Sequence, residues 1–288
     1  MRYLNDYAYK YNCTFINDPT SSDVIITNDV FPEQILSHNK PMVKRMCAPF
    51  WHSDLYDRNI VLNKASTQAD KVIFITEYSR QSYYRMCQGI VKNDCVVLHW
   101  VDPKVYFPKS KPSNSKFVFV ASATDWNREE KRYKDIIRFA KLIDCKILLI
   151  GTVPSYTVPN NIYKCGYIKN SKVMAEIFNQ GDAFLNLSYR DAATKTVCQA
   201  ISCGLPVLYA SSGGVPEMVG KYGIGISEPE EWNMTNIIPH FSDEELQEGY
   251  LNFIKQFANL QFQLNSFDLQ SYFKRMLDGY FSVIQEVI

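Results

Sequence analysis

Short apolar runs alternate with stretches of helical period along almost the whole chain. Leu4, Tyr7, Ala8 and Tyr11 recur at helical spacing, which predicts an opening helix. CysThrPheIle (13–16) and AspValIleIleThr (23–27) read as strands, the second stopped at Asn28-Asp29. ProMetVal (41–43) begins another strand, LysValIlePheIleThr (71–76) is the clearest of the series, and CysValValLeuHis (95–99) closes it. Thr76 to Met86 is predicted helical, with Thr76 or Glu77 near its cap. Strands alternating with helices imply parallel pairing in a doubly wound sheet.

Residues 101–115, ValAspProLysValTyrPheProLysSerLysProSerAsnSer, are rich in Pro, Ser and Lys between two apolar blocks, and read as an interdomain linker. A second series then begins. Strands are predicted over 116–121, 146–151, 161–166 and 183–188, with helices over 130–143 and 171–180. Residues 191–220 carry a polar opening, a short helix ending at Gly204, a buried-type strand Leu205–Tyr209, a Ser-Ser-Gly-Gly loop and a helix start at Pro216-Glu217. The tail is helical. Ser242 and Glu245 form a capping box for a helix through Ala258, and Ser266 starts another with Phe273, Met276, Leu277, Tyr280, Phe281 and Ile284 on one face. The resulting division is an N-terminal α/β domain over 1–107, a second over 108–240 and C-terminal helices over 241–288.

Composition narrows the function classes. A chain of 288 residues with 46% hydrophobic and 21% charged positions is globular and large enough for two domains. A net charge of +1 argues against nucleic acid as partner, although LysArgTyrLys (131–134) is a local basic run suited to phosphate. The cysteines at 13, 47, 87, 95, 145, 165, 198 and 203 form no CxxC pair, which favours reduced thiols over disulfides or a zinc site. The sequence shows no signal peptide and no apolar run of membrane-spanning length, so a cytoplasmic protein is expected, with peripheral membrane contact left open.

Loop, helix, strand, Gly-rich loop and helix over 191–220 is the layout of a phosphate site at the carboxyl edge of an open α/β sheet. The same stretch resembles the donor-binding signature of retaining GT-B glycosyltransferases of family 4. Other landmarks follow in the family's order: SerSerAspValIleIleThrAsnAsp (21–29), AlaAspLysValIlePheIleThrGluTyrSerArg (69–80), ValValLeuHisTrpValAspProLysValTyrPhe (96–107), the element 165–188, CysGlyLeuProVal (203–207) and GlyGlyValProGlu (213–217). The likeness extends over roughly residues 20–285.

The resemblance implies two Rossmann-like domains facing a cleft, with the C-terminal helices packed back on the N-terminal domain. It implies transfer of a sugar from a nucleoside-diphosphate sugar to a glycan, glycoprotein or lipid-linked acceptor, with retained configuration, no metal and no cofactor beyond the donor. The family's paired glutamates fall on Asp191 and Gln199. Because Gln199 supplies no carboxylate, loss of a charge-assisted bond there would weaken donor binding by about 1–2 kcal/mol. Ala192 to Thr196 stand where relatives bring backbone N–H groups to the diphosphate, with Thr194, Lys195 and Thr196 in contact range. Lys131 aligns with a phosphate-binding lysine and Arg128 is the candidate for its arginine partner. Ser212, Gly213 and Gly214 allow close approach to a ligand, Glu217 meets a sugar hydroxyl, and His52 lies in a cleft-facing loop.

Blander readings stand beside these: Asp191 as a helix cap, Glu217 as a helix-dipole partner, Lys131 as a solvated cation and His52 as a structural imidazole. Two departures from the family pattern also bear on function. Family members usually begin with a strand and a Gly-rich loop, whereas no glycine precedes Gly89 here, so an abbreviated N-terminal domain is expected. Together with Gln199, that departure favours an alternative, a non-catalytic GT-B protein that binds sugar nucleotide or glycan beside an active transferase. A GT-B epimerase needs cleft carboxylates, of which few are present.

Overall fold

A computed structural model describes residues 2–28, 33–110, 116–155, 158–229 and 232–288. The chain divides into two compact units. Met1–Trp100, Glu231–Asn236 and Gln270–Ile288 form the first, and Val101–Glu230 with Ile237–Leu269 the second.

The first unit opens with α1 (Arg2–Tyr7), continued by a 3-10 turn over Ala8–Tyr11. Strands β1 (Ile25–Asn28), β2 (Met42–Met46), β3 (Lys71–Phe74) and β4 (Asp94–Val96) pair in parallel in the order β1-β2-β3-β4. Two helices serve as crossovers, α2 (Tyr56–Gln68) and α3 (Glu77–Met86). Thr76 caps α3 in a reciprocal box with Ser79, each side chain bonding the other's backbone N–H at 3.1 Å. Residues 13–16 form no strand. Cys13 N–H instead bonds back to the Ala8 carbonyl at 3.2 Å, which turns this segment onto the preceding helix. Helix α2 has a weak periodic signal because Asn59 and Ser66 share its buried face with Leu62 and Ala65. Both polar residues are satisfied. Asn59 brackets the Phe50 backbone, while Ser66 receives the buried Lys44 ammonium at 2.7 Å.

The second unit holds a six-stranded parallel sheet: β5 (Val118–Asp125), β6 (Lys146–Thr152), β7 (Ile162–Gly166), β8 (Ala183–Asn186), β9 (Val207–Ala210) and β10 (Gly223–Ile226). Its order is β10-β9-β8-β5-β6-β7. Helices α4 (Tyr133–Leu142), α5 (Ser171–Phe178), α6 (Lys195–Ser202) and α7 (Val215–Val219) link the strands. Strands β8 and β9 are buried along their whole length, as expected of a sheet covered on both faces. β10 leaves no apolar run to read because half of it is glycine; a Cβ at Gly223 would overlap the Val207 carbonyl.

Two long helices end the chain, α8 (Asp243–Asn265) and α9 (Leu269–Val287). The capping box holds: Ser242 Oγ accepts from Glu245 N–H at 3.1 Å, and Ser242 N–H donates to Glu245 Oε2 at 2.7 Å. The two helices do not pack together on the N-terminal half as the resemblance implies. Only α9 joins the first unit, stacking Phe281 on Tyr11 with centroids 4.2 Å apart and seating Gly279 against Val97. α8 stays with the second unit because Leu246, Phe253 and Leu260 enter the same core as Phe119, Phe139 and Ile147, and Gly249 lets it approach Ile226 closely. The stretch read as a linker is packed in its first part. Val101 and Tyr106 are buried in the second unit, while 111–115 lie outside the described residues.

Phe253 is fully buried among Phe119, Phe257 and the α8 core residues. Phe253→Ala is expected to destabilise the protein by about 3–5 kcal/mol, read as a lowered midpoint in denaturant unfolding.

Candidate active site

In the six-stranded sheet the chain leaves β5 towards β6 and β7 on one side, then returns through β8 to β9 and β10 on the other. β5 and β8 are therefore neighbours whose following loops diverge, and ligands bind in the crevice opened at such a switch point. The loop after β5 is tied down by Trp126, whose backbone N–H bonds the Thr152 carbonyl and whose indole N–H bonds the Ile150 carbonyl, both at 2.9 Å. It meets the loop after β8 through a backbone bond from Tyr189 N–H to the Glu130 carbonyl at 2.8 Å.

This junction joins two of the candidate residues. The Lys131 ammonium lies 2.5 Å from Asp191 Oδ2, although the two are 60 positions apart in sequence. Their side chains retain only 13% and 18% of their exposure, so water screens the pair weakly. The glycine pair holds Asp191 from behind. Gly214 N–H donates to the Asp191 carbonyl at 2.9 Å, and Gly213 has φ 68° with no room for a Cβ against that same carbonyl. Ser212 Oγ accepts from Arg190 N–H at 2.8 Å, completing the clamp. Burial pushes the Asp191 carboxyl up, but the Lys131 charge and hydrogen bonds from Lys131, Thr194 and the Ala193 backbone outweigh it. Its pKa is therefore lowered.

Asp191 leads directly into α6, at whose N-terminus partial positive charge gathers. The Thr194 side chain makes no capping bond to that first turn. Within the helix, Thr196 Oγ1 and Gln199 Oε1 are buried oxygens with no hydrogen-bond partner in the protein. Gln199 is fixed from its other end, since its Nε2 donates to Tyr106 Oη at 2.7 Å. A buried acceptor left unpaired costs about 1–3 kcal/mol, a penalty that a ligand hydroxyl removes.

Arg128 is largely exposed and paired with Glu130. Lys195 and Glu217 are exposed in the first turns of α6 and α7. His52 belongs to the first unit, in the loop after β2, with its ring stacked on Trp51 at 4.0 Å. Three residues at the site escaped sequence reasoning. Tyr106 fell in the stretch read as linker, while Arg132 and Glu228 form a buried ion pair across 96 positions. The only available signal for that pair was an acidic cluster, Glu228 to Glu231, to match the basic run 131–134. Among the described residues, no group of His, Cys, Asp and Glu is arranged to hold a metal ion, and no helix is long and apolar enough to cross a membrane.

Residues 114–237 match the family described as glycosyl transferases group 1, a stretch that includes every candidate residue above except His52 and Tyr106. N-acetyl-alpha-D-glucosaminyl L-malate synthase of Bacillus anthracis is 25% identical over 140 residues, which are 43% of this chain and 37% of that protein. The chain thus spans well under half the length of this relative. Among solved structures, sucrose-phosphate synthase from Thermosynechococcus elongatus superposes with a TM-score of 0.68 at 13% identity, covering 99% of this chain and 78% of that one. Anabaena HepE in complex with UDP and glucose gives 0.64 at 15% identity, covering 91% and 78%. WaaG, a glycosyltransferase involved in lipopolysaccharide biosynthesis, gives 0.61 at 16% identity over 96% and 80%. The switch-point site falls within residues 114–237, the part of the chain that matches the group 1 glycosyltransferase family, and the two parallel α/β sheets share the fold of these solved structures.

Proposed function

We propose that the protein is a retaining, metal-independent glycosyltransferase that moves a sugar from a nucleoside-diphosphate sugar to a hydroxyl of a glycan, glycoprotein or lipid-linked acceptor, in the cytoplasm. The observation that carries this reading is the buried Lys131–Asp191 pair ahead of α6, the helix that holds the unpaired oxygens of Thr196 and Gln199. A cation, helix amides and hydroxyl-seeking acceptors at one switch point fit a diphosphate joined to sugars. The UDP and glucose held by HepE, which shares this fold, support the same ligand class.

In the proposed reaction the bond from the sugar's anomeric carbon to the diphosphate oxygen breaks, and its electron pair goes to the leaving diphosphate. Lys131 and the first-turn amides of α6 stabilise that growing charge, the principal electrostatic task of the step. The acceptor oxygen bonds the anomeric carbon on the face the diphosphate leaves, and its proton passes to the departing phosphate. Asp191 and Gln199 act on hydroxyls of the donor. Thr194, Lys195, Thr196, Ser212, Gly213, Gly214 and Glu217 line its approach, with Arg128 and His52 in supporting roles. A chain that binds sugar nucleotides without turnover is the alternative, and the neutral Gln199 favours it.

Incubation with UDP-, GDP- and ADP-sugars separates the readings: nucleotide release supports the transferase, while binding without release by any donor establishes the alternative. Lys131→Ala is expected to lower kcat by about 10²–10³, the loss typical of a donor aimed at developing oxyanion charge. Gln199→Ala removes an acceptor used equally in ground and transition states, so donor KM should rise about tenfold with kcat little changed. Because the folded carboxyl of Asp191 titrates below its ordinary value near pH ~4, its contribution to stability is complete above that value and is lost as pH falls through the lowered one. Wild type should exceed Asp191→Asn in urea midpoint at neutral pH, with the gap closing only on the acid side.

A further inference from the structure

The proposed chemistry leaves unused the residue that follows Lys131. Arg132 has a left-handed backbone (φ 52°) and a side chain with no exposure at all. A branched-free but bulky cation in that conformation is uncommon, and burying its charge adds a desolvation cost. Nε is buried without a partner, and the costs are offset at the two terminal nitrogens and on the faces of the plane. Nη1 donates to Glu228 Oε2 at 2.9 Å and to the Leu187 carbonyl at 3.3 Å, and Nη2 pairs with Glu228 Oε1. The guanidinium carbon lies 4.9 Å from the Tyr189 ring centroid and 4.7 Å from that of Phe241, so the plane is held between two aromatic side chains.

These partners belong to the segments that build the site. Leu187 and Tyr189 lie in the loop that carries Asp191, and Glu228 follows β10. Next to Arg132, Lys131 has its own N–H bonded to the Arg128 carbonyl at 3.0 Å, so the short 3-10 turn transmits the position of one residue to the other. Burial pushes the Glu228 carboxyl up even with Arg132 beside it, as expected of a pair withdrawn from water.

We propose that Arg132 is the positioning residue for Lys131: its buried fork on Glu228 and Leu187 clamps the loop after β5 to the loop after β8, and thereby sets where the ammonium meets the donor diphosphate. This rests on the transferase reading above. Lysine cannot replace the arginine, because a point charge lacks both the planar fork and the face that stacks between rings.

Crystal structures and UDP titrations of Arg132→Lys and of the charge-free double variant Arg132→Met/Glu228→Leu test the clamp, the second guarding against misfolding from an unpaired buried carboxylate. Lys131 should leave Asp191 in both variants, and the Kd for UDP should rise about tenfold, the scale of one charge-assisted contact. Adding Arg132→Lys to Lys131→Ala should bring no further loss, since both changes remove the same interaction. Lys131 still seated on Asp191 in both crystal structures, or additive losses in the combined variant, would overturn the proposal. If the wild-type protein binds neither UDP, GDP nor ADP, the donor reading fails, and the crystal structures alone decide the clamp.

Discussion

The contact between Lys131 and Asp191 is the point on which the second unit turns. It exists because β5 and β8 are neighbours in the sheet although two strands separate them in sequence. Had the chain added its strands in simple succession, as the first unit does, the loops carrying the two residues would lie apart. Strand order, set by which apolar runs are buried on both faces, thus determines an electrostatic contact that no local preference encodes.

Taking two opposite charges out of water is costly unless further hydrogen bonds complete them. The second unit meets that requirement twice within a few residues. Asp191 accepts from the Lys131 ammonium, and its backbone is gripped by the glycine pair. Arg132 donates to Glu228 and to the Leu187 carbonyl and lies against two aromatic rings. Consecutive residues therefore face different tasks: Lys131 keeps its partner beside the uncapped start of α6, whereas Arg132 is fully enclosed.

Features with a local cause were legible in the sequence. The cap at Thr76 and the reciprocal box at Ser242–Glu245 show in the sequence because a cap and its partner are only a turn apart. The strands β3 and β8 were legible as well, since full burial demands continuous apolar runs. Where polar side chains enter the interior, the signal fails: Asn59 and Ser66 hide α2, and Gly223 and Gly225 hide β10. The position of α8 is not legible for a related reason. Its buried face matches either unit by pattern alone, and the ring contacts of Phe253 with Phe119, Tyr250 with Phe139 and Phe257 with Phe117 decide it. The family likeness brought Lys131 and Asp191 to notice, but Arg132 and Glu228 answer to three-dimensional charge pairing that neither periodicity nor motif reveals.

The glutamine at position 199 takes on a different meaning in this electrostatic setting. Asp191 already neutralises Lys131, and Arg128 is engaged by Glu130. A carboxylate at 199, buried in the helix that follows Asp191, would add a further negative charge to this part of the unit. A neutral amide avoids that repulsion while keeping an acceptor oxygen. Tyr106 completes the arrangement by taking the amide nitrogen, so that Oε1 is the group left to meet a hydroxyl. On this argument Gln199 is a consequence of how tightly Asp191 is bound to Lys131, and the substitution is compatible with a working donor site.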